Sequence, residues 1–140
     1  MKIKLTRINS AVKFKATNSQ QNEIILDGSP KIGGINEGMR PMETLLSSLA
    51  GCSAMDVVSL LNKMRQPLEG LEIDVEGTRD EKNIPAVFTH IHLKFTLTGN
   101  LNENKVKKAI GMSVDQYCSV ARMIENKASI EWSYLILPKG

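Results

Sequence analysis

The amino-acid sequence predicts an α+β protein, in which strands are grouped instead of alternating strictly with helices. Period-two alternation of apolar residues marks six short segments of the chain and indicates strands. One long segment, from Pro41 to about Arg65, has helical periodicity, and two shorter helical segments follow nearer the C-terminus. The predicted order of elements is therefore β-β-β-α-β-β-α-α-β.

The first predicted strands lie between Met1 and Asp27, where polar breaks supply the turns. Their alternating apolar residues are Ile3, Leu5, Val12, Phe14, Ala16, Ile24 and Leu26. The next segment, Gly28 to Met39, contains four glycines and one proline, and we expect a mobile loop there. Its glycines lack the spacing of a phosphate-binding motif, so we do not expect nucleotide binding.

Pro41 begins the longest helical signal, because proline is tolerated in the first turn of a helix. Glu43 complements the positive end of the helix dipole, and the helix should end near Arg65, before Pro67. One broad side of this helix is apolar and carries Leu46, Leu49, Val57, Leu60 and Met64. The opposite side carries small residues such as Gly51, which let another backbone approach closely. We therefore expect a helix that is buried on both sides at the centre of the molecule.

The remaining elements follow from the same periodicities. The segments Leu71 to Gly77 and Val87 to Leu97 alternate and predict a hairpin with a long polar loop. Asn102 is the expected N-cap of the second helix, and Ser119 is expected to cap a short third helix. The alternating run Ile130 to Leu137 predicts a closing strand.

Length and composition indicate a single domain over residues 1–140. Hydrophobic residues make up 41% of the chain and charged residues 24%, which excludes a disordered protein. The net charge is only +3 and aromatic residues make up 4%, so we expect no nucleic-acid partner. The longest uncharged run, residues 44–55, is shorter than the roughly 20 residues of a membrane span. The N-terminus has no signal-peptide pattern, so we expect a cytoplasmic protein with no membrane partner.

Cys52 and Cys118 are the only two cysteines of the chain. Two are too few for a disulfide scaffold or for a zinc site made of cysteines alone. A mixed zinc site with His90 and His92 would normally use a closely spaced cysteine pair, which this chain lacks. We interpret these histidines as surface residues on one strand face, and we expect no metal.

Each cysteine taken alone has a plain structural interpretation as a small buried hydrophobe. Cys52 lies in the middle of the long helix, four residues before Asp56, whose carboxylate would raise the pKa of the thiol unless a cation pairs with it. Cys118 lies near a helix start, where the helix dipole and the charge of Arg122 would favour a thiolate.

As a pair, the cysteines meet the minimum requirement of a two-cysteine thiol peroxidase. In such enzymes one thiolate attacks the peroxide and becomes a sulfenic acid, and the second thiol condenses with that acid to a disulfide. The 66 positions between them (118 − 52) do not establish whether the two sulfur atoms approach each other.

Residues 38–58, which read GMRPMETLLSSLAGCSAMDVV, resemble the first cysteine helix of the OsmC/Ohr family. Residues 117–122, which read YCSVAR, resemble the second cysteine segment of that family. Size, order of elements and cysteine separation are similar over essentially the whole chain. The resemblance implies an OsmC-like fold, with antiparallel sheets around long central helices in an intertwined homodimer.

The resemblance also implies a function. Catalytic members of the family reduce small organic hydroperoxides at two cysteines without a metal or flavin, so no cofactor is expected. Cys52 would be the peroxidatic cysteine and Cys118 the resolving one. A dithiol, which is a lipoyl group in well-known members, would then reduce the disulfide. Met42, Leu49 and Met55 would line the apolar pocket that binds the substrate.

Two positions depart from the pattern of the peroxidase members. Met42 occupies the place of a glutamate that orients a catalytic arginine, and Glu43 follows one position later. Nine helical steps of about 100° separate Glu43 from Cys52, which leaves the two roughly half a turn apart. The family arginine would fall near Asn9 and Ser10, so the group that activates the thiolate is either replaced, most simply by Arg40, or weakened. The pattern is closer to the less characterised OsmC-like branch than to the organic hydroperoxide reductases.

Three functional hypotheses follow. The leading one is a cysteine-based peroxidase with Cys52 as nucleophile, Cys118 as resolving thiol and Arg40 as thiolate stabiliser. The second, favoured by Met42, is a non-catalytic module that binds an apolar or acyl ligand at the dimer cleft. The third is a redox sensor or a structural dimer whose thiols only signal or protect.

Overall fold

A computed structural model of the chain describes all residues from Met1 to Gly140 and confirms the α+β fold and the predicted order of elements. The elements are β1 Ile3–Arg7, β2 Phe14–Asn18, β3 Glu23–Leu26, α1 Pro41–Lys63, β4 Gly70–Arg79, β5 Phe88–Thr98, α2 Glu103–Met112, α3 Ser119–Ile124 and β6 Ser129–Leu137. A 3-10 turn occupies Pro30–Ile32, and a π-helical turn, Ser113–Tyr117, lies between α2 and α3. The chain forms two compact units, Met1–Leu45 and Leu46–Gly140.

The first unit contains the antiparallel sheet β1-β2-β3. Leu5 pairs with Ala16, and Ala16 pairs with Ile24, so apolar residues share one face of this sheet. The glycine-rich loop after β3 is organised by the buried carboxylate of Asp27. That carboxylate accepts hydrogen bonds from the backbone N–H groups of Gly28 at 2.8 Å and of Ile35 and Glu37 at 3.1 Å.

The second unit contains the sheet β4-β5-β6, which differs in one respect from the antiparallel sheets that were predicted. Strands β4 and β5 form the expected hairpin, but β6 pairs with β5 in parallel. A parallel partner needs a long crossover connection, and the segment from α2 to α3 supplies it. The buried side chains of the central strand β5 are Phe88, Ile91, Leu93, Phe95 and Leu97.

Helix α1 is buried along one stripe whose members are four residues apart: Leu49, Ser53, Val57 and Leu61. We predicted that α1 is buried on both sides, and within this chain only one side is buried. The other side is open, because Met55 is 75% exposed and a Cβ atom added at Gly51 would meet no atom within 4 Å.

Helix α1 also has the length and composition of a membrane span, with 23 residues and a mean hydropathy of 1.5 in its most apolar window. The uncharged run from Thr44 to Met55 ends before Asp56, so it is shorter than the helix that contains it. The core helix of a soluble protein can have the same length and composition, and 22% of that window is buried inside this chain.

Candidate functional site

The structure places Cys52 and Cys118 side by side. Cys52 is half-buried in the middle of α1, and Cys118 is completely buried directly before α3. Both thiols are free, and Cys52 lies close enough to raise the pKa of Cys118. The two residues that the sequence suggested as a pair are thus neighbours in one unit of the fold.

Cys118 reaches this position because the helix that precedes it ends in an irregular turn. Asn102 caps α2 as predicted, accepting a hydrogen bond from the backbone N–H of Lys105 at 3.1 Å. After the π-helical turn, the N–H of Cys118 donates to the carbonyl of Ser113 at 2.8 Å, and the backbone of Cys118 turns to an extended conformation. The prediction of Ser119 as the cap of α3 is wrong by one residue. The cap is Cys118, whose sulfur accepts from the N–H of Ala121 at 3.4 Å.

The pKa of the Cys118 thiol lies above its ordinary value of 9.0. Burial is the main cause, and the adjacent Cys52 raises the pKa further. The Ser53 side chain and the N–H of Ala121 both lower the pKa, but burial outweighs these two effects. Arg122, whose positive charge was predicted to favour the thiolate, instead forms an ion pair with Glu125 at 2.7 Å. Cys118 is therefore protonated at neutral pH.

Two serines that the sequence analysis did not single out connect the cysteine segments. The hydroxyl of Ser113 lies 3.1 Å from the carbonyl oxygen of Ser53 and 3.4 Å from a carboxylate oxygen of Asp56. The neighbour of the Asp56 carboxylate is thus a hydroxyl group and not a cation. Ser53 is completely buried beside Cys118, and its hydroxyl forms no regular hydrogen bond. Its place in the four-residue spacing of the buried α1 stripe is the sequence signal that could have identified it.

The other predicted site residues occupy separate places. Arg40 immediately precedes α1, where its guanidinium donates to the side chain of Asn36 at 3.0 Å and lies 3.9 Å from the carboxylate of Glu43. Leu49 is completely buried, whereas Met55 is exposed and lines an open groove of about 520 Å³ on α1 with Ala54 and Val58. Leu49 and Met55 therefore lie on different sides of the helix.

Met42 is half-buried in the first turn of α1. It lies three turns before Cys52 in the same helix, at about 1.5 Å of rise per residue. Its predicted role in lining the substrate pocket stays a prediction.

The two histidines lie on the outer face of the second sheet. His90 contacts the hydroxyl of Ser129 at 2.8 Å, and His92 contacts that of Ser133 at 3.1 Å. His90 also lies 3.8 Å from the carboxylate of Glu131. No group of three or more His, Cys, Asp or Glu side chains is arranged to hold a metal ion.

Comparisons with known proteins agree with this architecture. The family model described as OsmC-like protein matches residues 34–133. Protein YhfA of Escherichia coli K12 is 37% identical over 125 residues, which cover 89% of this chain and 90% of YhfA. A crystal structure of a hypothetical protein from Aquifex aeolicus is 28% identical, with a TM-score of 0.85 and coverage of 99% of this chain and 97% of that one.

A more distant structure extends the comparison to a protein named for hydroperoxide resistance. It comes from Legionella pneumophila, is 14% identical, has a TM-score of 0.71 and covers 96% of both chains. At that identity the likeness concerns the fold alone. The resemblance first noted around the two cysteines is confirmed by the family match and by the nearer relatives. The chain therefore belongs to the OsmC-like family, in a less characterised branch that includes its homologue YhfA.

Proposed function

We propose that this protein is a thiol-dependent peroxidase that reduces small organic hydroperoxides. The observation that supports this proposal best is the contact between two free thiols of unequal exposure, Cys52 and Cys118. The accessible thiol suits the attack on a substrate, and the buried one suits resolution. Structural relatives named as organic hydroperoxide resistance proteins, from Legionella pneumophila and Bacillus subtilis, share the fold.

In the first step, the sulfur of Cys52 attacks one peroxide oxygen and breaks the O–O bond. The products are the sulfenic acid of Cys52 and, after protonation, the alcohol. The thiol of Cys118 then attacks the sulfenic sulfur, and its proton and the departing hydroxyl leave together as water. A dithiol reductant, for which we propose a lipoyl group, finally supplies two electrons and two protons and restores both thiols.

The proposed setting is a cytoplasmic homodimer with no nucleic-acid or membrane partner. The exposed side of α1 supports a second copy as partner, because Met55 is 75% and Val58 37% exposed there. Such a partner would bury these apolar side chains. A role for Arg40 in stabilising the Cys52 thiolate is part of the same proposal.

A second candidate function is an apolar or acyl ligand-binding module, with a redox sensor as its variant. Met42 at the position of the family glutamate favours this alternative, as does the apolar groove beside Met55. In this case the thiols would react once, or not at all, and would not turn over.

Counting free thiols after a slight excess of cumene hydroperoxide tests the proposal. We expect both thiols to disappear within seconds in the unmodified protein and Cys118 to stay reduced in Cys52→Ser. In Cys118→Ser, the oxidation should stop at a sulfenic acid that dimedone captures. Repeated hydroperoxide consumption with dihydrolipoic acid would distinguish a peroxidase from a sensor.

Thiols that stay unchanged for minutes would reject the peroxidase. In that case, binding of a fluorescent acyl probe would identify the ligand-binding alternative. Loss of that binding in Met55→Asp would locate the ligand in the groove on α1.

A further inference from the structure

Ser53 is a polar residue in an otherwise apolar stripe. It lies four residues after Leu49 and four before Val57, both completely buried. A buried hydroxyl without a regular hydrogen bond is unfavourable, and alanine would also be the better helix former at this place. Neither packing nor helix propensity therefore explains a serine at position 53.

The backbone around Ser53 holds it against the Cys118 segment. The hydroxyl of Ser113 donates to the carbonyl of Ser53 at 3.1 Å, and the N–H of Cys118 donates to the carbonyl of Ser113 at 2.8 Å. Two consecutive hydrogen bonds thus connect residue 53 with residue 118. On the other side of the thiol, the N–H of Ala121 lies 3.4 Å from the sulfur.

We propose that the Ser53 hydroxyl donates a hydrogen bond to the Cys118 thiolate during the resolving step. The Ser53 hydroxyl is completely buried beside Cys118 and has no hydrogen-bond partner, so its proton is available to a nearby acceptor. A thiolate is the stronger acceptor, so the bond forms when the sulfur carries charge. The N–H of Ala121 then serves as a second donor to the same sulfur.

This inference rests on the proposed peroxidase function, and its chemistry balances without a further reagent. The Cys118 thiol loses its proton, and the thiolate attacks the sulfenic sulfur of Cys52. The S–S bond forms as the S–O bond breaks, and the departing hydroxide combines with the released proton as water. Ser53 keeps its own proton throughout. The hydrogen bond from Ser53 strengthens only when the Cys118 sulfur carries charge. A donor that binds the charged, reacting form more strongly than the resting thiol accelerates the step.

No positively charged side chain is placed to stabilise the Cys118 thiolate, so neutral hydrogen-bond donors must do so. Cys52 faces the thiol from α1 and raises its pKa, and Asp56 interacts with the Ser113 hydroxyl. The remaining ionisable groups of the π-helical turn and α3 are exposed to solvent, namely Asp115, Tyr117, Arg122 and Glu125. The buried side chains of the central strand β5 are apolar, so they add no charge to the interior.

A thiolate titration tests the inference without any peroxide. In a Cys52→Ala background, Cys118 is the sole thiol, and its ultraviolet absorbance reports the thiolate. Adding Ser53→Ala should move the titration to higher pH, so that the thiolate fraction at a fixed lower pH falls about threefold to tenfold. Ser133→Ala, which removes an exposed hydroxyl on β6, is the matched control and should leave the midpoint in place. An unchanged midpoint in Ser53→Ala would overturn the proposal.

Rapid-quench mass spectrometry then tests the resolving step in the protein with both cysteines. In Ser53→Ala, we expect sulfenic acid to form at the normal rate and the disulfide to form about threefold to tenfold more slowly at neutral pH. The difference should vanish at alkaline pH, where Cys118 ionises without help. Equal slowing at every pH would indicate misplacement of Cys118 and overturn the proposal. If the unmodified protein forms no sulfenic acid, the peroxidase function fails, whereas the titration still decides the role of Ser53.

Discussion

The hydroxyl of Ser113 lies 3.1 Å from the backbone carbonyl oxygen of Ser53, and this hydrogen bond joins the two segments that carry the cysteines. Ser53 directly follows Cys52 in α1, and the N–H of Cys118 donates back to Ser113. These two hydrogen bonds therefore join the backbone segments that carry the two thiols. In the proposed peroxidase, such an arrangement would place the resolving thiol in position before the sulfenic acid forms.

Ser113→Ala should loosen this connection. Loss of the hydrogen bond to Ser53 is expected to lower the free energy of unfolding by about 1 kcal/mol, which urea denaturation would measure. Because the Cys118 segment is then held less firmly, disulfide formation should slow at every pH. That uniform slowing differs from the pH-dependent effect expected for Ser53→Ala. A disulfide rate equal to that of the unmodified protein would show that packing alone positions Cys118.

Asp27→Asn should change how the fold responds to acid. Burial raises the pKa of Asp27, but the N–H groups of Glu37, Ile35 and Gly28, with the charge of Lys13, more than offset this, and the net pKa lies below 3.8. A lowered pKa means that the carboxylate stabilises the folded state above pH 3.8 and that this contribution is lost as the pH falls through the folded-state pKa.

Urea denaturation at neutral and acidic pH would check this expectation. Asp27→Asn should unfold at lower urea than the unmodified protein at neutral pH, and the two should converge below pH 3.8. Asp74→Asn, which alters an exposed carboxylate on β4, is the control and should keep the acid dependence. An equal loss of stability for Asp27→Asn at both pH values would contradict the assignment.

Arg40→Gln tests the predicted activation of Cys52. If the guanidinium stabilises the thiolate, sulfenic acid formation at neutral pH should slow by about tenfold. Arg40→Lys keeps the charge and should retain most of the rate. Asn36→Ala removes a contact of Arg40 and reports whether loop packing alone matters. A normal oxidation rate in Arg40→Gln with a lower unfolding free energy would assign Arg40 a structural role.

Local patterns in the sequence predicted most of the fold, whereas the site depended on contacts that no local pattern contains. Period-two alternation located all six strands, and Pro41 and Pro67 bounded α1 to within two residues of its observed end at Lys63. The parallel direction of β6 was missed, since alternation does not encode which way a strand runs beside its partner. Ser53 and Ser113 were missed because no local sequence pattern indicates that a helical serine will contact a residue 60 positions away.

Gly51→Ala tests whether the open side of α1 contacts a second copy of the chain. An added Cβ at Gly51 meets no atom within 4 Å in the single chain, and alanine is the better helix former by about 1 kcal/mol. The chain itself should therefore become more stable. If two α1 helices approach along their small residues, the extra methyl group should separate them and weaken dimerisation, as sedimentation over a range of concentrations would show. Gly111→Ala in α2, whose added Cβ would lie 3.6 Å from Trp132, is the matched control for helix propensity. A dimer that is equally strong in Gly51→Ala would place the partner on another surface.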